Sequence, residues 1–204
     1  GSTTESWIDR FTMEQDPLLT DELYHWRTSD FYQPWCRERA AVNLARSTDP
    51  LQRHPYGPCY NYEAGIAPFT GFPVCGAIWY QGESNAHNPE QHAALLPALV
   101  KSWRRQGGYE FPFYYVQLSA LDRPSWPAFR ESQLELLNVI PRTGMAVSID
   151  VGDSTNVHPR RKKEVGDRLA ALALHFTYGR EKVVPYGPMP QAAKVTGNEL
   201  VVSF

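Results

Sequence analysis

The sequence predicts a three-layer α/β/α domain built on a mainly parallel sheet. Short apolar runs rich in β-formers occur at 73–80 (PVCGAIWY), 112–118 (PFYYVQL) and 145–150 (MAVSID). Each is followed by a segment with helical spacing of apolar residues, at 89–106, 127–139 and 159–178. Strands alternating with helices of that length imply parallel strands covered on both faces.

The elements can be justified in order. Residues 1–58 carry Pro17, Pro34, Pro50, Pro55 and Pro58 among scattered charges and read as a long irregular excursion near the substrate rim, with one short helix at 36–46. A helix is also expected over 59–69. In 89–106, Pro89 suits a first turn, and Ala93, Leu96, Leu99, Val100 and Trp103 fall on one face before Gly107-Gly108 ends the helix. In 127–139 the inward residues are Phe129, Leu134, Leu136 and Leu137. In 159–178 they are Val165, Leu169, Leu172, Ala173 and Phe176, with Gly179 as the cap. After Pro190, AAKVTGNELVVSF reads as a hairpin turning at Gly197-Asn198. The expected division is 1–189 as the main domain and 190–204 as the start of a trailing β-rich module.

The 204 residues suffice for one sizeable core, and 42% apolar with 21% charged residues is ordinary for a globular chain. A net charge of -2 argues against nucleic acid or an anionic membrane as partner. No apolar run approaches the roughly 18 residues of a membrane span, and no signal peptide is visible. Cys36, Cys59 and Cys75 leave at most one disulfide and show no metal-ligand spacing. Aromatics reach 13%, with six tryptophans spread along the chain. Most are expected in the core, and some are suited to stacking on sugar faces.

In a parallel sheet the chemistry lies at the carboxyl ends of the strands. Two such loops hold the polar residues, 81–88 and 150–158. In the first, Gln81 and Asn85 carry amide N–H groups suited to a developing oxyanion, each such donor contributing about 10²–10³ in rate. Glu83 is suited to holding neighbouring donors. The plain alternative is a turn in which Ser84 or Asn85 caps the next helix. In the second, His158 precedes Pro159 at the expected start of a helix, where the dipole disfavours imidazolium and keeps the ring a base. Asp153 is placed to orient it, or else only makes a turn. His25, His54, His87, His92 and His175 show no partner pattern and read as structural or solvated. No zinc-hydrolase signature occurs, so no metal and no cofactor is expected.

Trp79-Tyr80-Gln81-Gly82-Glu83-Ser84-Asn85, then Asp150-Val151-Gly152-Asp153 and His158-Pro159, together resemble the sialate O-acetylesterase family. That family is a branch of the SGNH/GDSL hydrolases, flavodoxin-like in fold, and related to carbohydrate esterase family 6. The resemblance extends from Gly1-Ser2-Thr3-Thr4-Glu5-Ser6-Trp7 through Tyr60-Asn61, Pro112 to Leu118 and Arg130-Glu131-Ser132-Gln133 to Gly187-Pro188 and Val202-Ser203-Phe204. It implies a metal-independent esterase that removes acetyl groups from sugar hydroxyls with a Ser nucleophile, a His base and an oxyanion hole. By resemblance His158 is the base, Gln81 lies in or beside the oxyanion hole with Gly82, Glu83 and Asn85 around it, and Gly1 belongs to a second block whose backbone N–H faces the oxyanion. A secreted, periplasmic or lysosomal location is implied in the same way.

Two departures from the family pattern stand out. Its Gly-Gln-Ser-Asn-Met nucleophile block does not occur here, so an upstream segment or chain is expected to supply the serine. Many SGNH enzymes carry Asp three residues before the His, where Thr155 stands here; Asp153 or a backbone carbonyl would take that place. Ser84, in an approximate G-x-S-x-G elbow, is the alternative nucleophile, and Ser154 ranks behind it. Acetylxylan esterase is the alternative activity, and a non-catalytic carbohydrate-binding chain the alternative class.

Overall fold

The computed structural model describes residues 1–29 and 32–204. Among the described residues six α-helices form: α1 (Arg10–Met13), α2 (Pro17–His25), α3 (Pro34–Leu44), α4 (Pro89–Gly107), α5 (Trp126–Glu135) and α6 (Lys162–Leu172). Strands β1 (Ala77–Trp79), β2 (Phe113–Val116) and β3 (Thr143–Ala146) make a parallel sheet in the order β1-β2-β3. Its register aligns Ile78 with Tyr114 and Tyr115 with Met145.

Side-chain alternation explains the layers. Phe113 and Tyr115 of β2, with Trp79 and Met145, pack against Leu95, Leu96, Leu99 and Val100 of α4. Tyr114 and Val116, with Ala146, turn to the opposite face and meet Val165, Leu169 and Leu172 of α6. The expected α/β/α arrangement is therefore present at β2 and β3. It is incomplete at β1, because α6 packs on β2 and β3 and leaves Ile78 68% exposed.

Helix ends follow the capping chemistry. Asn88 Oδ1 accepts from Gln91 N at 3.0 Å and Pro89 opens α4; Gly108 closes it with φ 75°. Gly179 has φ 64° beyond the last helical turn, as its reading as a cap requires. The strands are shorter than the apolar runs, and β3 begins at Thr143 rather than Met145. The 59–69 helix is replaced by a π-helical turn at Tyr62–Ile66 and a 3-10 turn at Ala67–Phe69.

Three expectations are corrected. The region 1–58 holds α1, α2 and α3 rather than one short helix: Asp16 accepts from Leu18 N at 2.9 Å and Leu19 N at 3.2 Å, so Pro17 starts α2 rather than interrupting the chain. Pro34 starts α3 likewise. Ala93 and Phe176 lie on the outer faces of their helices, Phe176 being 50% exposed. The helix expected from Pro159 begins at Lys162 and changes to a π-helical turn at Ala173–Thr177.

All three cysteines are free thiols, with Cys36 and Cys59 buried. The C-terminal hairpin forms as expected, β4 (Ala192–Thr196) against β5 (Glu199–Ser203), turning through Gly197 at φ 62° with every residue exposed. Among the described residues no helix is long and apolar enough to cross a membrane.

Candidate active site

The loop after β1 is buried and heavily bonded. Gly82 has φ 156°, and a Cβ there would lie 3.0 Å from Phe129 and 3.1 Å from Leu118, so only glycine fits. Gln81 Nε2 donates to Ser2 O at 2.8 Å and to Asn85 Oδ1 at 2.9 Å. Thr4 N donates to Asn85 Oδ1 at 3.0 Å, and Thr4 Oγ1 donates to Gln81 Oε1 at 2.7 Å. Asn85 Nδ2 donates to Glu5 Oε2 at 2.8 Å. These bonds tie residues 81–85 to residues 2–5. Both Gln81 amide hydrogens are therefore committed inside the protein, and one of Asn85's is. In this structure these side-chain amides bond within the loop and to residues 2–5.

Beneath this knot lies a pair of buried acids. Glu5 is 1% exposed and Glu22 fully buried, and Gln91 Nε2 donates to Glu22 Oε1 at 2.6 Å. Burial raises the pKa of both carboxyls, and the neighbouring Glu5 charge raises Glu22 further. His92 is also fully buried, its ring 4.3 Å from that of Phe129, and desolvation pushes its pKa down to about 3. It is a core histidine, as its lack of a partner pattern suggested.

The loop after β3 is exposed and held mainly at its start. Ser148 Oγ donates to Gln117 O at 2.6 Å. Arg168 of α6 grips both Asp150 oxygens at 2.7 Å, and the guanidinium holds that carboxyl below its usual range. Gly152 presses on the next loop: a Cβ there would collide with the Ala120 amide and lie 2.9 Å from Ser119 Cβ. Asp122 N donates to Ser154 O at 2.8 Å. Asp153 Oδ1 accepts from Thr155 N and Oγ1, each at 2.9 Å, and from Asn156 N at 3.2 Å, and these bonds hold its carboxyl below the usual range. The carboxylate thus builds the turn leading to His158. His158 N donates to Asn156 Oδ1 at 2.9 Å, and the ring is exposed. Since α6 begins at Lys162, His158 stands ahead of its first turn and outside the reach of its dipole.

The two loops meet across a cleft of about 650 Å³. Gly1, Glu83, Ser84 and His158 are on its lining; Gln81, Gly82, Asn85 and Asp153 are not. Ser84 is 4% exposed, and a Cβ on Gly1 would lie 3.4 Å from its hydroxyl. Aromatic walls come from Trp35, Tyr80 and Trp126. Trp7, Trp79 and Trp103 instead form an edge-to-face chain in the interior, with centroids 5.9 and 5.7 Å apart.

Sequence reading missed Arg123 and Lys162, which complete the lining. The signal for Arg123 was its place in the loop after β2, a third carboxyl-end loop. Lys162 could be found only once the helix start was known. Among the described residues no group of three or more His, Cys, Asp or Glu could hold a metal ion.

Comparison with known proteins points one way. Residues 56–175 match the family model described as carbohydrate esterase, sialic acid-specific acetylesterase. Sialate O-acetylesterase of Rattus norvegicus is 33% identical over 164 residues, which are 69% of this chain and 30% of that protein. The Homo sapiens sialate O-acetylesterase is 32% identical over 161 residues, 68% of this chain and 31% of that protein. A crystal structure of a carbohydrate acetylesterase from Xanthomonas citri aligns with TM-score 0.71 and 31% identity, covering 99% of this chain and 40% of its own. The matched part of the chain thus spans about 30% of the length of the curated relatives.

Proposed function

The chain belongs to the sialic acid-specific acetylesterase family of carbohydrate esterases, and from that premise we propose that it forms part of a carbohydrate O-acetylesterase acting on O-acetylated sialic acid. The observation that carries the proposal is the cleft in which His158 and the Glu83-Ser84 segment face each other, both inside the family-matched span.

The reaction is acyl transfer through a serine. A serine hydroxyl attacks the acetyl carbonyl carbon while the His158 imidazole takes its proton. The tetrahedral oxyanion is received by the backbone N–H of Gly1, which lines the cleft beside Ser84. The C–O bond to the sugar then breaks, and the imidazolium returns the proton to the departing sugar hydroxyl. Water, deprotonated by His158, attacks the acetyl-serine, releasing acetate and restoring the serine. Asp153 acts on His158 by holding the turn that carries it, and Gln81 and Asn85 act by holding the opposite loop. The nucleophile is a serine supplied from sequence outside these residues, which suits relatives some three times as long as the matched part. A location outside the cytoplasm suits such a substrate.

The test is hydrolysis of 4-nitrophenyl acetate by the protein that carries this chain. His158→Ala should lower kcat/KM at least about 100-fold, as expected for a general base, with an unchanged melting temperature. Near-normal turnover in that variant overturns the assignment. A fluorophosphonate adduct found on Ser84 would move the nucleophile into this chain.

A further inference from the structure

The cleft carries two cations that the esterase chemistry does not use. Arg123 and Lys162 both line it, Arg123 from the loop after β2 and Lys162 from the first turn of α6. Their surroundings set them apart from neighbouring basic residues. Arg161 pairs with Glu164 at 2.5 Å and Lys163 with Asp167 at 2.5 Å, so the residues flanking Lys162 are neutralised by acids of α6. Lys162 turns the other way. Its Nζ donates to Tyr80 Oη at 3.1 Å and sits 4.3 Å from the centre of the Tyr80 ring. The Arg123 guanidinium lies 5.8 Å from the centre of the Trp126 ring. Among the described ion pairs none includes Arg123 or Lys162, and none joins Glu83, the acid on the same lining, to either.

The position of Arg123 is fixed by its loop. Leu118 N donates to Gln133 Oε1 at 2.8 Å and Trp126 Nε1 donates to Ser119 O at 3.0 Å, so both ends of 119–125 are anchored. Between them Asp122 N is bonded to Ser154 O, which joins this loop to the one bearing His158. Aromatic rings keep the two cationic heads over the cleft without neutralising them. A pair of uncompensated cations over aromatic walls suits a ligand with both a carboxylate and apolar ring faces.

We propose that Arg123 and Lys162 form a carboxylate-binding pair that makes this cleft selective for acidic sugars over neutral ones. The assignment rests on the cleft being the substrate site of the esterase reading. It also separates the two candidate activities, since xylan's acetylated xylose units are neutral. A charge-assisted contact of this kind is worth about tenfold in affinity.

The experiment compares the methyl glycoside of N-acetylneuraminic acid with its methyl ester, which differs only at the carboxyl. Binding to the protein is measured by NMR titration, and hydrolysis is followed with the O-acetylated forms of both. The parent should bind the free acid about tenfold more tightly than the ester. Arg123→Gln and Lys162→Met should each reduce that ratio, and the double variant should bring it to about one. Equal binding of acid and ester by the parent overturns the proposal. So does a ratio that survives in the double variant, or no binding of the acid in the millimolar range. Absence of hydrolysis with the acid preference intact supports the pair and strikes the esterase reading. Hydrolysis of both substrates without preference does the reverse.

Discussion

The loops after β1 and β3 face the same cleft, yet they are built in opposite ways. Residues 81–85 are mostly buried, and their side chains bond inward to Ser2, Thr4 and Glu5. Residues 153–156 are exposed, and their side-chain bonds are local, with Asp153 accepting from Thr155 and Asn156. The first loop has its conformation imposed by the core. The second is a short turn hung between Gly152 and α6. A polar residue in a conspicuous motif is therefore not thereby a catalytic one. Gln81 and Asn85 have the right chemistry for an oxyanion, and in this structure their amides bond to residues 2–5 and to each other. His158 has no such commitment and is open to the cleft.

This contrast can be broken from either side. The largest effect is expected at Asn85→Ala. It removes the bonds to Thr4 and leaves the buried Glu5 carboxyl short of a donor, at about 3 kcal/mol. For a chain of this size that lowers the melting temperature by about 10 °C, measurable by calorimetry. An unchanged melting point would mean that the loop is not held as described. His158→Ala should leave it unmoved, and the pair of variants would then separate scaffold from chemistry.

Gly152→Ala comes next. The added methyl meets the Ala120 amide and Ser119 Cβ, so the 150–158 loop must shift by part of an ångström. Stability should fall by about 2 kcal/mol, and kcat/KM by about tenfold as His158 is displaced. If both stay at parental levels, the loop is looser than its packing implies.

The smallest effect is expected at Glu22→Gln. Burial raises the carboxyl pKa in the folded state above its unfolded value. The stability tied to the bound proton is full below the unfolded pKa and is lost as pH rises through the folded one. The amide keeps an oxygen for the Gln91 bond and has no proton to lose. The variant should melt higher than the parent at about pH 8 and show a shallower fall in melting temperature above about pH 5. Parallel pH profiles for parent and variant would show that the acid pair is not the source of the pH dependence.

Much of the fold was legible because periodicity is local. The β2 run PFYYVQL and the spacing of Leu96, Leu99 and Val100 identify a strand and a helix without reference to anything distant, and Gly-Asn identifies the hairpin turn. Proline misled at Pro17 and Pro34, because a helix breaker in mid-run is a helix starter after a cap. The convergence of His158 with the QGESN loop was legible as well, since both follow parallel strands and so share one edge.

The tertiary structure decided what those side chains do. Whether Gln81 faces a cleft or Ser2 depends on how residues 2–5 return to β1, a contact 77 residues apart in sequence between Thr4 and Gln81. Whether Lys162 joins its helix's ion pairs or a binding cleft depends on where Tyr80 ends up. The sequence by itself determined the layers, the carboxyl-end loops that carry the polar residues and the family, because spacing and motif are properties of neighbouring residues. Burial and hydrogen-bond partnership arise between residues far apart in the chain, and they alone separated the residues that hold the cleft from those that face it.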